Sequence, residues 1–301
     1  MPSDGMSPGV GTRIRWRVRD LLWLGKPGIA LFCVLVTLGT AILAAGSVGL
    51  AAPVLLPLLV GTALTVLSAG GLNMVLERRP DRAMARTRNR PVAAGRIGVV
   101  TASAVAVAQG AAGLALLYHG TSLETAGLAA LALFTYLVVY TPLKYRTRYA
   151  AAVGTLPGAV PALMGWTAVR GDLGAPAWVV FAILVLWQLP HTLAITVRHR
   201  REYEAAGVPT VPSVLGEEPA RLHAFLWTGL LFSVSLLLVP MGVAGSLYFL
   251  VASGVGGWLV YLGVRGLEPA VEKRWARRFF VASVVYVPVL TVGLMLDRWA
   301  R

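Results

Sequence analysis

The chain has 301 residues, of which 57% are hydrophobic and 13% charged, whereas a soluble domain carries roughly a quarter charged residues. This excludes an ordinary soluble protein. A formal net charge of +14 would otherwise point to nucleic acid, but the basic residues lie in loops between apolar runs, which removes that partner.

Residues 1–25 read as a cytoplasmic tail with a disordered tract, MPSDGMSPGVGT, followed by Arg13, Arg15, Arg17 and Arg19. No short apolar region with a small-residue cleavage site follows, so the first apolar segment reads as a retained helix. Residues 26–301 read as one transmembrane domain. Nine runs are long and apolar enough to cross a bilayer: about 27–47, 53–76, 98–118, 123–142, 150–169, 177–197, 222–243, 246–264 and 279–296. The expected fold is an all-α polytopic membrane bundle of nine transmembrane helices with a cytoplasmic N-terminus. In that arrangement all of the 27 Lys and Arg except Arg170, Arg298 and Arg301 face the cytoplasm. The single Cys33 lies inside the first span and reads as packing, as does GVGG at 254–257. Asp297 and Arg298 read as plain interfacial residues.

Two long inner loops are expected, 77–97 and 198–221, each following a span that ends in polar residues. NMVLERRPD, after the second span, places Asn73, Glu77 and Asp81 at four-residue steps. Each step turns about 40° beyond a full circle, so the three share one stripe of a helix. Pro80 predicts a break or kink near Arg79, with Asp81 in the turn beyond. Two carboxylates and an amide oxygen are hard ligands that suit Mg²⁺. Arg86, Arg88 and Arg90 follow, and guanidinium forks match phosphate oxygens. The competing account is a positive-inside loop whose acids pair with its arginines. It leaves unexplained why Asn73 and Glu77 lie in or at the edge of an apolar span, where polar groups are costly.

YTPLKYRTRY, 140–149, places Tyr140 at the interface and Lys144 beyond it. Snorkelling explains one such Lys, and the position also suits an anionic head group. In the sixth span, Gln188 and His191 lie inside the apolar run. Trp187 and His191 share a face, with Pro190 expected to bend the helix between them. A neutral imidazole bonded to a neighbouring helix accounts for His191 without any ligand. Arg198, Arg200, Arg201 and Glu202 close the span. Cations on three rims, with carboxylates on two, fit an amphiphile with a diphosphate head and an apolar tail. The chemistry implied is loss of diphosphate from an allylic carbon, with Mg²⁺ as Lewis acid, and alkylation of an electron-rich partner.

At these residues the chain resembles the UbiA-type intramembrane prenyltransferases, whose first motif stands here as Asn73, Glu77 and Asp81. MARTRNRP (84–91) with Gly95, YTPLK (140–144), Gly165–Trp166, WQLPH (187–191) and EYEAAGVP (202–209) look like the branch of that family that farnesylates protohaem. Glu77 and Glu202 stand where Asp is usual, each adding a methylene. The resemblance implies transfer of farnesyl from farnesyl diphosphate to a vinyl group of haem b, giving haem O. It implies Mg²⁺ as cofactor, a multi-pass inner-membrane location with the active site facing the cytoplasm, and a haem-delivering or terminal-oxidase assembly partner. It assigns Mg²⁺-diphosphate to Asn73, Glu77 and Asp81, and diphosphate contacts to Arg86, Arg90 and Lys144 with Tyr140 nearby. Glu202 falls to a second acidic, metal-binding site, and His191 with Trp187 to the haem. Two other readings share these residues: the same fold acting on an aromatic acceptor, and a transporter or oxidase assembly factor without chemistry.

Overall fold

The computed structural model describes residues 18–268 and 274–300, so the tract 1–12 and Arg13, Arg15, Arg17, Lys273 and Arg301 lie outside the described residues. Among the described residues the chain is all-helical, with no strand. After a short helix ending at 24 come α1 (Pro27–Ala45), α2 (Val48–Leu76) and a short α3 (Arg78–Ala83). Next are α4 (Val99–Gly120) and α5 (Leu123–Phe134), which continues through a π-helical stretch, Thr135–Tyr140, and a last turn, Thr141–Leu143. Then follow α6 (Ala150–Arg170), α7 (Ala175–Arg198), short α8 (Arg200–Ala205) and α9 (Val211–Leu215), α10 (Glu217–Leu236), α11 (Ser246–Arg265) and α12 (Trp275–Ala300).

Eight of these helices are long and apolar enough to cross a membrane. The remaining long one, α10, stands where the seventh span is expected but starts at Glu217, so its first turns carry Glu217, Glu218, Arg221 and His223. The acids favour a helix N-terminus, and residues 237–244 ahead of and beyond Pro240 form turns, which shifts the element toward the N-terminus. The second span also differs. It is expected from 53, yet α2 begins at Val48, capped by the Ser47 hydroxyl accepting from Leu50 N at 3.3 Å, and carries Pro53 and Pro57 inside. Helix α7 runs on through Pro190.

The outward surface is apolar: Val100 is 82% exposed, Leu56 75% and Leu50 72%. The interior is apolar too, around Leu163, Trp166 and Phe279, and among these it holds Thr37, Thr62, Thr65, Ser68 and Asn73. Polar groups turned inward and aliphatic ones outward suit a lipid solvent, where packing and internal hydrogen bonds replace hydrophobic collapse. Close approach matters most where Gly25 lies against Gly70 of α2. A side chain at Gly70 would meet the Gly25 carbonyl at 2.5 Å. This contact carries Lys26 over α2, one turn from Asn73, and Lys26 takes the left-handed backbone conformation (φ 58°) to do so. A non-glycine residue there costs on the order of 1–3 kcal/mol and marks a functional constraint.

Asp297 does more than a plain interfacial residue would. It is buried, and its carboxylate accepts from Gly245 N at 2.7 Å and Tyr248 N at 3.2 Å, capping the start of α11 from the end of α12. The unsatisfied donors of a helix N-terminus explain why an acid is retained in a buried position. Arg298 donates to Leu43 O at 3.4 Å, tying α12 to α1. Asp297→Ala is expected to destabilise the bundle by about 1–3 kcal/mol, seen as a lower thermal midpoint in detergent, with Asp297→Asn intermediate.

Candidate active site

Seven side chains from distant parts of the chain meet at the end of α2. Asn73, Glu77 and Asp81 are all nearly inaccessible. Helix α2 ends at Leu76, one residue before Glu77, and α3 restarts at Arg78 with Pro80 inside its first turn. The break thus falls three residues ahead of Pro80, and Asp81 stays helical. Asn73 Oδ1 accepts from Lys26 Nζ at 2.6 Å, and its Nδ2 donates to Thr141 Oγ1 at 3.3 Å. Glu77 Oε1 accepts from Lys144 Nζ at 3.0 Å. Arg90 Nη1 lies 2.8 and 2.7 Å from the two Asp81 oxygens and 3.7 Å from Glu77 Oε2. Oxygen donors and cations therefore alternate around one buried point.

Burial tends to push the Glu77 carboxyl up, but Lys144, Lys26 and Arg90 outweigh it and hold it below the usual range. Burial alone would lower Lys144; Glu77 beside it reverses the sign and raises it. Lys26 is brought down to about 8, by burial first and then by Arg90, with Glu77 opposing.

The π-helical stretch supplies the wall. Its wider turn stacks Tyr136 and Tyr140, whose ring centres are 5.6 Å apart. π-Helical turns of this kind recur at functional sites. Thr141 Oγ1 donates to Tyr136 O at 2.8 Å and accepts from Asn73, locking this turn to α2. Gly154 of α6 makes room for Tyr140, since a side chain there would meet its ring at 2.6 Å. Below Lys26, Tyr136 and Tyr140 an apolar cavity of about 270 Å³ runs between helices past Cys33, Ala129 and Met164. Above Lys26 a wider, basic opening of about 810 Å³ includes Arg19, Arg86, Arg90 and Arg96.

The two inner loops close over this cluster together. Glu202 Oε2 accepts from Arg86 N at 3.3 Å, Arg86 Nη2 donates to Tyr203 OH at 3.3 Å, and Met84, Tyr203 and Val208 pack as one small core. His199 Nδ1 stands 3.0 Å from Glu202 Oε1, and this contact, ahead of Arg86, holds the carboxyl below its ordinary range. Glu202 does not join Glu77 and Asp81: among the described residues no three His, Cys, Asp or Glu gather tightly enough to hold one metal. Glu202 thus stands in a separate acidic position, as expected, where its carboxylate also ties the two loops together through Arg86 N.

Asn73, Glu77, Asp81, Arg90, Lys144 and Tyr140 are thus brought together, with Arg86 at the opening. Trp187 and His191 are not. They face α12, where Trp187 Nε1 donates to Ser283 O at 2.6 Å and His191 Nδ1 pairs with Ser283 Oγ at 2.9 Å. The His191 ring lies between Trp187 and Phe280, at 4.9 and 5.0 Å. Gln188 and Thr192 on the other face of α7 line the apolar cavity instead. Lys26 and Tyr136 are the participants that sequence reasoning missed. Lys26 counted there only as a loop charge, although its place between Gly25 and Pro27 sets it at the mouth of the first span. Tyr136 lies four residues before Tyr140, a spacing that could have found it.

Oxygen donors and cations at the mouth of an apolar cavity, inside a membrane bundle, define a class of enzyme. Such proteins hold an anionic head group at the rim and an apolar tail between helices. The chain belongs to the UbiA prenyltransferase family, whose sequence model matches residues 30–284. Protoheme IX farnesyltransferase of Sorangium cellulosum is 43% identical over 238 residues, 79% of this chain and 85% of that protein. Its namesake from Anaeromyxobacter dehalogenans is 41% identical over 281 residues, 93% and 94% of the two chains. The fold matches that of a UbiA homolog from Aeropyrum pernix K1, with TM-score 0.73 at 15% identity over 90% of this chain and 98% of the other. It also matches a UbiA homolog from Archaeoglobus fulgidus bound to GPP and Mg²⁺, with TM-score 0.60 at 13% identity over 92% and 99%.

Glu77→Gln is expected to lower prenyl transfer by about 10²–10³-fold, because it removes an anionic oxygen and leaves the Lys144 ammonium buried without its charged partner. Glu77→Asp should stay within tenfold of wild type. Ala129→Phe should shorten the longest prenyl chain accepted, read by product mass across a series of prenyl diphosphates.

Proposed function

We propose that this chain transfers a farnesyl group from farnesyl diphosphate to a vinyl group of protohaem IX, giving haem O, with Mg²⁺ as cofactor. The names of its relatives support the substrate pair. The observation that carries the chemistry is the alternation of three oxygen donors with three cations at the cavity mouth. The oxygens of Asn73, Glu77 and Asp81 are hard donors that would suit a small divalent cation. Bound there, a divalent metal supplies Lewis-acid charge at the leaving diphosphate. Lys26, Arg90 and Lys144, no longer needed to neutralise those oxygens, turn their donors to the diphosphate. Two carboxylates against three cations leave one excess positive charge. A divalent ion raises it to three, matching the roughly three negative charges of an alkyl diphosphate.

The farnesyl tail lies in the apolar cavity. Tyr136 and Tyr140 flank its C1, where their ring faces favour an allylic cation. The C1–O bond breaks and diphosphate leaves with the electron pair. The terminal carbon of the vinyl group gives its π electrons to C1. The carbon beside the macrocycle then takes water and releases a proton, giving the hydroxyethylfarnesyl substituent. Burial keeps water from the cation until the C–C bond has formed.

The active site faces the cytoplasm of the bacterial inner membrane in this reading, with the N-terminus on the same side and nine crossings. The asymmetry of Lys and Arg among the loops supports that placement. The deciding assay contains purified protein in detergent, haem b, farnesyl diphosphate and Mg²⁺, with products separated by mass. Farnesylated haem should appear, vanish with chelator and return with added Mg²⁺. Folded protein that gives no haem product but prenylates an aromatic acceptor would overturn the haem assignment.

A further inference from the structure

The acceptor has to place a vinyl carbon against C1 of the prenyl chain, and three spaces adjoin that point. The 270 Å³ cavity is taken by the tail. The basic opening at Arg19, Arg86 and Arg96 lies on the head-group side, so a molecule there would meet phosphate before carbon. The third space is a cavity of about 600 Å³ between the start of α6, the end of α7 and the first turns of α10. It shares Tyr140, Ala151 and Thr192 with the tail cavity and reaches Lys144 of the charged cluster. This space touches the carbon end of the reaction at Tyr140 and Thr192 and reaches the outside of the bundle at Leu226 and Leu230.

Its lining suits a flat, amphiphilic dianion. Tyr149 and Trp227 offer aromatic faces, and Leu226 and Leu230 are exposed on the lipid side. At the rim stand Arg148 and His223. Arg148 is half-buried, with Nη2 on Tyr149 OH at 3.1 Å and its guanidinium over the Tyr149 ring, while its buried Nε has no hydrogen-bond partner. A buried donor left open is costly unless a ligand satisfies it. Guanidinium donors are the natural match for a carboxylate.

We infer that this 600 Å³ cavity is the tetrapyrrole subsite, with the propionates at Arg148 and His223, the macrocycle against Tyr149 and Trp227, and the vinyl edge directed at Tyr140 and Thr192. Propionates and vinyl groups occupy opposite edges of protohaem, so anchoring one edge at the rim presents the other to the prenyl C1. Such positioning brings the reacting carbons together before any bond breaks. The inference rests on the haem reading and locates the acceptor away from His191, whose ring is held against Ser283 and Phe280.

The test is haem b binding to the full-length protein in detergent, read by the shift of the Soret band, alongside the KM for haem and for farnesyl diphosphate. Arg148→Gln is expected to raise the Kd and KM for haem about tenfold, with the KM for farnesyl diphosphate moving less than twofold. Trp227→Ala, on an exposed position tolerant of change, should act in the same direction. Haem dimethyl ester, which lacks both propionate charges, should bind wild type about as weakly as haem binds Arg148→Gln, and Arg148→Gln should not weaken the ester further. Wild type that farnesylates haem while Arg148→Gln and Trp227→Ala bind it normally overturns the subsite and leaves the function standing. Loss of haem binding on His191→Ala alone would overturn it in favour of the α12 face. Wild type that neither binds nor farnesylates haem sinks the function and the subsite together.

Discussion

The site depends on one constraint: charges taken out of water must be paired. Glu77 and Asp81 are almost completely inaccessible, and an isolated buried carboxylate is among the most expensive groups a fold can hold. They are tolerated because Lys144 and Arg90 reach them, while Lys26 reaches Asn73 one turn before Glu77. Pairing of this kind is weak evidence for stability, since apolar residues would pack the same space without desolvation. It is strong evidence for use, because the donors and acceptors that satisfy one another here are those that a metal-bound diphosphate would engage.

Much of the remaining architecture serves that pairing. The close approach of Gly25 to Gly70 and the left-handed turn at Lys26 bring a cation from the first span over the second. The π-helical turn sets Tyr136, Tyr140 and Thr141 against α2, and Lys144 follows one turn later. Arg90 returns from the loop beyond α3 to close the ring on Asp81. The second long loop contributes through Glu202 and Tyr203, which hold Arg86 and fix the lid formed by both loops. The two loops follow the same local plan, a long helix, a one-residue break at Glu77 or His199, then a six-residue helix. The parallel between the halves is therefore structural as well as positional.

Helix α7 shows how a membrane helix divides its tasks. One face, Gln188 and Thr192, borders the tail cavity, while the other, Trp187 and His191, is bonded to Ser283 of α12. Polar groups at bilayer depth are often functional, but a satisfied hydrogen bond to a neighbouring helix is the other common reason for their presence. The same holds for Asp297, whose carboxylate completes the N-terminus of α11.

The apolar runs and their flanking charges determined the helical membrane fold by themselves, because a bilayer admits so few backbone solutions. The four-residue spacing of Asn73, Glu77 and Asp81 likewise fixed which oxygens share a face, since helical geometry is local. Helix ends were less legible: the span expected from 53 starts at Val48, and Pro80 lies within the first turn of α3, where the N–H that proline lacks has no intrahelical partner anyway. What the tertiary structure alone decided is the set of partners. Lys26 is 47 residues from Asn73, Lys144 is 67 from Glu77, and Arg86 is 116 from Glu202. Separations of that size carry no local periodicity. The side chains meet because small residues let helices approach, and because a buried charge permits no arrangement that leaves it alone.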